Sequence, residues 1–230
     1  NINPYAFRVP TSNLHPPSGD LRINPHQRTS HSGFPSPTGA NYLMKTTDIL
    51  DLPSLLHLCQ AGYRPDFLFF WSHQPTAPGK IGKECLSQWW PAAFCVDGTT
   101  YATAEHYMMA EKARLFGDED IRREILAAGS PEKVKKLGRL VKGFDSPVWE
   151  AHRTEIVVRG NTAKFQQNAD LYAYLMGTGE QVLVEASPYD QIWGIGLSAD
   201  DPNASRPEKW RGLNLLGFAL MCVRSELQRS

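Results

Sequence analysis

Four helix-start signals follow one another between Thr103 and Pro147, and they commit the middle of this chain to closely spaced helices. Thr103 precedes the run Ala104 to Phe116, and Asp118 precedes a run ending at Gly129. Ser130-Pro131 and Ser146-Pro147 each set a hydroxyl before a proline. A side-chain oxygen at the cap satisfies helix N–H groups that lack partners, and a proline in the first turn has no N–H to satisfy. The fourth signal opens a long helix expected to reach about Gln166, and Leu213 to Gln228 reads as an apolar, then charged, terminal helix. Strand signals are short. Phe67 to Trp71 is an aromatic strand, Ala93–Val96 and Thr99–Ala102 form a hairpin around Asp97-Gly98, and Val182-Leu183-Val184 is a third short run. Asp51 caps a short helix through Cys59 that Gly62 stops. The pattern is α+β and predominantly helical.

Composition divides the chain. Residues 1–41 hold Pro4, Pro10, Pro16, Pro17, Pro25, Pro35 and Pro37 among many polar residues, too little apolar surface to offset ordering entropy. We read 1–41 as an extended or disordered arm, 42–66 as an accessory segment with the short helix, and 67–230 as the catalytic domain. The first residue is Asn1, not Met, which suggests either a trimmed end or an internal boundary. Lys plus Arg (24) balances Asp plus Glu (24), so the chain lacks the basic footprint of a protein that grips long duplex DNA. Cys59, Cys85, Cys95 and Cys222 show neither C-x-x-C nor zinc spacing and read as reduced, mostly buried thiols. With neither a membrane span nor a secretory signal in view, the expectation is a cytoplasmic, monomeric protein without metal or cofactor.

Several residue groups suggest chemistry. Glu105, Met109, Lys112 and Phe116 share one helix face, and the apolar pair marks it as buried, so two ionisable groups point inward. A structural ion pair is the plain alternative. Glu105 sits in a first turn, where the helix dipole favours its ionised form. His106 stands alone and reads as a hydrogen-bonded structural residue rather than a ligand. Lys133, Lys135, Lys136 and Lys142 read as a solvated face, but Gly138-Arg139 suggests close approach by a backbone or a phosphate, with Arg139 as a clamp. On the long helix, Trp149, Arg153, Ile156, Gly160 and Lys164 share a stripe. Gly160-Asn161 there gives room or a kink, and Lys164 could hold a phosphate or activate a sugar carbon.

The stretch Val184 to Leu197 sets Glu185 and Asp190 around a Ser187-Pro188 turn and ends in glycines that let backbone approach a ligand. Two carboxylates are what glycosidic hydrolysis needs, and Trp193 offers a flat face to a nucleobase. A turn in which Asp190 merely caps the next residues is the plain alternative.

Taken together, these pieces resemble the YbiA-like or NADAR family of N-glycosidases. The resemblance rests on Leu86-Ser87-Gln88-Trp89-Trp90-Pro91, Thr103-Ala104-Glu105-His106-Tyr107, Leu137-Gly138-Arg139, Trp149, Ala163-Lys164-Phe165-Gln166-Gln167-Asn168, Leu183 to Asp190, Trp193 to Leu197 and Asn214-Leu215-Leu216-Gly217. Ser87-Gln88 departs from the family's usual Ser-Asn. The resemblance implies a single YbiA-like domain that hydrolyses a ribose C1–nitrogen bond. It implies Glu105 as an essential catalytic carboxylate, with Asp190, Trp193, Trp149, Lys112, Lys164 and Glu185 around the pocket. With the residue reading added, Glu105 positions water or stabilises the cationic sugar and catalytic Asp190 assists departure of the base, or the reverse, while Arg139, Gly138 and Asn161 join the substrate-binding set. The preferred substrate is ADP-ribosylated guanine in DNA, because Gly194-Ile195-Gly196-Leu197 and the long polar segment Ser198 to Arg211 resemble the family's ADP-ribose branch and leave space beside Trp193; the same resemblance implies a toxin ADP-ribosyltransferase as counterpart. Ribosylamino-pyrimidine phosphates of riboflavin synthesis, a Schiff-base route through Lys112 or Lys164, a non-catalytic ADP-ribose-binding module and a scaffold built on the arm stay open as alternatives.

Overall fold

Cap chemistry sets the observed helix starts. The computed structural model describes residues 49–229 apart from 76 and 78, and the expected arm, 1–41, lies outside them. Asp51 and Ser54 form a capping box at α1 (Leu52–Gln60), and Gly62 follows at φ +101°. Thr103 Oγ1 accepts from His106 N at the start of α2 (Ala104–Leu115), and Asp118 Oδ1 from Ile121 N at α3 (Glu119–Leu126). Ser130 caps α4 (Pro131–Gly138). The long helix α5 (Ser146–Gln166) is capped one residue earlier than expected. Asp145 Oδ1 accepts from Val148 N at 2.9 Å, and the Ser146 hydroxyl turns instead to Glu150. A carboxylate is the stronger acceptor at a positive helix end.

The strands are β1 (Phe67–Phe70), β2 (Phe94–Val96), β3 (Thr99–Tyr101) and β4 (Val182–Glu185). The hairpin β2–β3 turns at Asp97-Gly98, both at positive φ. The other pair is parallel, with Phe67 opposite Val182 and Phe70 opposite Glu185. Helix α6 (Ala169–Gly177) carries no side-chain cap, since Asn168 Nδ2 donates to Ala93 O and Lys164 O instead. Helix α7 (Leu215–Arg229) closes the chain against β4 and α5.

Helix α2 is the centre. Ala104 through Glu111 are buried without a break, and α3, α4 and α5 pack around it. Glycines let these helices approach. A Cβ on Gly160 would lie 2.3 Å from the Tyr107 ring, so that position gives room for α2 and puts no break in α5. Among the four unpaired cysteines only Cys85 is buried. Cys95 points outward from β2, so the expectation of mostly buried thiols fails where strand alternation exposes every second residue. Among the described residues no helix is long and apolar enough to cross a membrane.

Candidate active site

The ends of α2 and α4 and the segments that follow β1 and β4 converge on a cleft of about 600 Å³, within the usual range for a small-molecule site. Helix α2 contributes Glu105, Met108, Met109 and Lys112, while α4 and its cap contribute Lys135, Gly138 and Arg139. The β4 side supplies Glu185, Ser187, Asp190 and Trp193, and the β1 side supplies Trp71 and His73 with Gln88 and Trp89 behind them.

Glu105 is held at both ends. Its N–H donates to Gln88 O at 3.0 Å, and the Trp89 indole donates to its carboxyl. Only 4% of the residue is exposed. Burial pushes its pKa up to about 7, against the opposing pull of Lys135 and the Trp89 hydrogen bond. The helix-dipole expectation for Glu105 is thereby overturned. A dipole in an exposed first turn is worth about 0.3–1 kcal/mol, less than one pKa unit, and burial here exceeds it. Glu185 is pushed up to about 8, by burial first and by Asp190 second, and its Oε2 is buried without a hydrogen-bond partner. Asp190 does cap the turn, for Oδ1 accepts from Ile192 N (2.9 Å) and Trp193 N (2.8 Å). Its Oδ2 is nonetheless 3.9 Å from Lys135 Nζ, so the capping residue also faces the cleft.

Lys135 is the main residue the sequence reading missed. The sequence reads it as part of a solvated face, yet it is the cation that the acidic groups share. Its signal was positional: Lys135, Gly138 and Arg139 fall at i, i+3 and i+4 from a helix start fixed by Ser130. Gln88, Trp89, Trp71, His73 and Tyr189 also line the cleft without having been singled out as site residues.

Other expected site residues lie elsewhere. Lys164 is fully buried outside the lining, with Nζ donating to Cys85 O (2.7 Å) and Ser87 O (2.9 Å). Its long stem ends on backbone carbonyls because those are the acceptors within reach of that stripe of α5. Asn161 is fully buried and donates to Gln88 Oε1 (2.8 Å) and Val157 O (2.9 Å). Trp149 is buried core, 5.8 Å from Lys112 Nζ, and does not line the cleft. Lys112 does line it, but its amine donates to Gly138 O at 2.8 Å and lies 4.2 Å from the Phe144 ring centroid. Burial lowers its pKa. A Cβ on Gly138 would fall 2.1 Å from Met109 Sδ, so this glycine admits the neighbouring helix and no phosphate is needed to account for it. Arg139 is exposed at the mouth with no ion-pair partner among the described residues.

The glycines after Asp190 serve the protein's own backbone. A Cβ on Gly194 would meet Glu185 O at 2.8 Å, and Asn214 N and Ile195 N donate to Gly194 O and Glu185 O. Asn214, at φ +54°, bridges Glu185 N and Leu183 O with its amide and so fastens the loop to β4. None of Ser198 to Arg211 lines the cleft; Trp210 packs on Phe67 instead, so the space expected there beside Trp193 is not what shapes the cleft. Among the described residues no group of three His, Cys, Asp or Glu is placed to hold a metal ion.

Comparison with known proteins agrees with this architecture. The family model of the NADAR domain matches residues 69–228. The chain belongs to the NADAR family. N-glycosidase R617 of Acanthamoeba polyphaga mimivirus is 44% identical over 155 residues, covering 65% of this chain and 91% of that protein. N-glycosidase YbiA of Escherichia coli K12 is 35% identical over 138 residues, 60% and 76% of the two chains. The NMR structure of the E. coli protein YbiA superposes with a TM-score of 0.58 at 29% identity, covering 73% of this chain and 88% of that one. The α+β fold, mostly helical and YbiA-like, is therefore shared.

Proposed function

We propose that this NADAR protein is an N-glycosyl hydrolase whose general acid is Glu105. The observation that carries this reading is a buried carboxyl, poised near neutrality, in one cleft with the Lys135–Asp190 pair and the Trp193 ring. The protonated Glu105 donates to the departing nitrogen of the base as the C1–N bond breaks and its electron pair goes to nitrogen. Asp190 Oδ2 faces the cationic sugar carbon, water adds to C1, and the proton that water loses restores Glu105. Burial is what leaves the proton on Glu105. Glu105→Gln should lower kcat by about 10² to 10⁴-fold with the fold intact. Turnover near wild type in that variant would defeat the assignment.

For the substrate, the reading favours ADP-ribosylated guanine in DNA. Trp71 and Tyr189 stand at the cleft mouth 6.0 Å apart, 47% and 86% exposed, where unpaired bases can stack. Arg139, exposed and lining the same cleft, can take a phosphate. A compact ribosylamino-pyrimidine phosphate can use Arg139 but has no further base to stack on Trp71 and Tyr189. Offering both substrates and identifying products by mass spectrometry tests the choice, and a higher kcat/KM on the ribosylamine would reverse it.

One observation favours a second route. Burial favours the neutral form of the Lys112 amine, the form that attacks a ring-opened ribose. Borohydride quenching during turnover should then trap an adduct that Lys112→Met lacks; absence of any adduct removes this route.

A further inference from the structure

An amide with one end bound inside the protein and the other open to a cleft is fixed in direction and placed to meet whatever occupies that cleft. Gln88 is such a residue. It is 8% exposed and lines the cleft, and its Oε1 accepts from Asn161 Nδ2 at 2.8 Å. Asn161 in turn is fixed. Its Nδ2 also donates to Val157 O one turn back on α5, which assigns nitrogen and oxygen without ambiguity, and its own Oδ1 is left buried without a partner. With Oε1 committed, the Gln88 amide must present its Nε2 hydrogens elsewhere, and no acceptor among the described residues takes them. The segment carrying Gln88 is itself anchored, because Lys164 Nζ holds Cys85 O and Ser87 O from behind.

We propose that Gln88 is a specificity-determining residue that donates from Nε2 to an acceptor oxygen on the nucleoside part of the substrate, and that Asn161 is its positioning residue. The inference rests on the glycosidase reading for its substrate. It explains why an asparagine with an unsatisfied oxygen sits in the middle of a core helix: its donors set the direction of another amide. The acceptor oxygen is either a base carbonyl or a ribose hydroxyl, and two free ligands, guanine and ADP-ribose, represent the two sources.

The test compares the full chain with Gln88→Met, which keeps volume and removes the donor, and with Asn161→Asp. The latter offers Gln88 an acceptor in place of a donor, so the Gln88 amide turns over and shows the cleft its oxygen. Circular dichroism and thermal midpoints establish folding of each variant. With ADP-ribosylated guanine in an oligonucleotide, each variant should lose about 10- to 100-fold in kcat/KM, as expected when a polar contact is lost or reversed. The double variant should be no worse than Gln88→Met alone, since Asn161 acts only through Gln88. A full additional loss from Asn161→Asp in the Gln88→Met background overturns the positioning role, and unchanged kinetics in Gln88→Met overturns the whole proposal. Calorimetry separates this from failure of the glycosidase reading. If wild type releases no base yet binds guanine or ADP-ribose, weaker binding of either by Gln88→Met supports the proposal and identifies the oxygen. Equal binding of both ligands by the two proteins, or no binding of either by wild type, overturns it.

Discussion

Lys135 carries a prediction because it faces three acids at once. It pulls the pKa of Glu105 and of Glu185 down against burial, so removing its charge raises both. If protonated Glu105 is the acid, wild-type activity falls as pH rises through about 7, and Lys135→Met moves that falling limb upward. A pH–kcat profile reads this directly; a limb that stays in place would mean that the titrating group lies elsewhere. Glu105 and Asp190 were legible in the sequence because both sit beside a local landmark, a capped helix start and a Ser-Pro turn. Lys135 was not legible, because its meaning depends on the 185–193 loop coming to meet it. Lys164 misled for the complementary reason: its inward direction was readable, but the carbonyls that receive it belong to residues far away in the chain.

Among the elements, helix starts were readable because capping is chemistry within three residues, and the strand pairing was not. Nothing local in Phe67–Phe70 announces Val182–Glu185 as its partner, and α6 lacks the capping side chain that would have declared it. Helix approach leads to a second prediction. In an exposed helix, glycine to alanine gains about 1 kcal/mol. At Gly160 the added Cβ would meet the Tyr107 ring at 2.3 Å and Gly160→Ala should instead destabilise by about 1–3 kcal/mol. Gly217→Ala should cost at least as much, because its Cβ would meet the Leu183 carbonyl at 2.1 Å and backbone yields less than a side chain. Urea denaturation checks both, and a gain in stability at either position would refute the packing account.

For the molecule as a whole, two raised carboxyls make stability depend on pH. Between the ordinary carboxyl pKa of 4.5 and their folded values of about 7 and about 8, Glu105 and Glu185 bind protons in the folded state and not in the unfolded one. Their contribution to stability therefore falls as pH rises from about 4.5 and levels off above about 8. The double variant Glu105→Gln, Glu185→Gln should lose this slope and be more stable than wild type at pH 8 by a few kcal/mol, with little difference at pH 4.5. Thermal melts across that range test it. A difference that does not grow with pH would show that neither group is held neutral by burial.

The parallel pairing of β1 with β4 bears on when the cleft exists at all. Trp71 and His73 leave one strand and Glu185 to Trp193 leave the other, so the two walls meet only after a loop of more than a hundred residues has closed. Long-range parallel pairing is slow to form. A nascent chain that has just emerged through α5 already holds Glu105 in its helix, but has no Lys135–Asp190 pair and no second wall. Competence should thus arrive late and all at once in synthesis, with a ribosome-stalled chain ending before Val182 inert and one extending beyond Arg229 active.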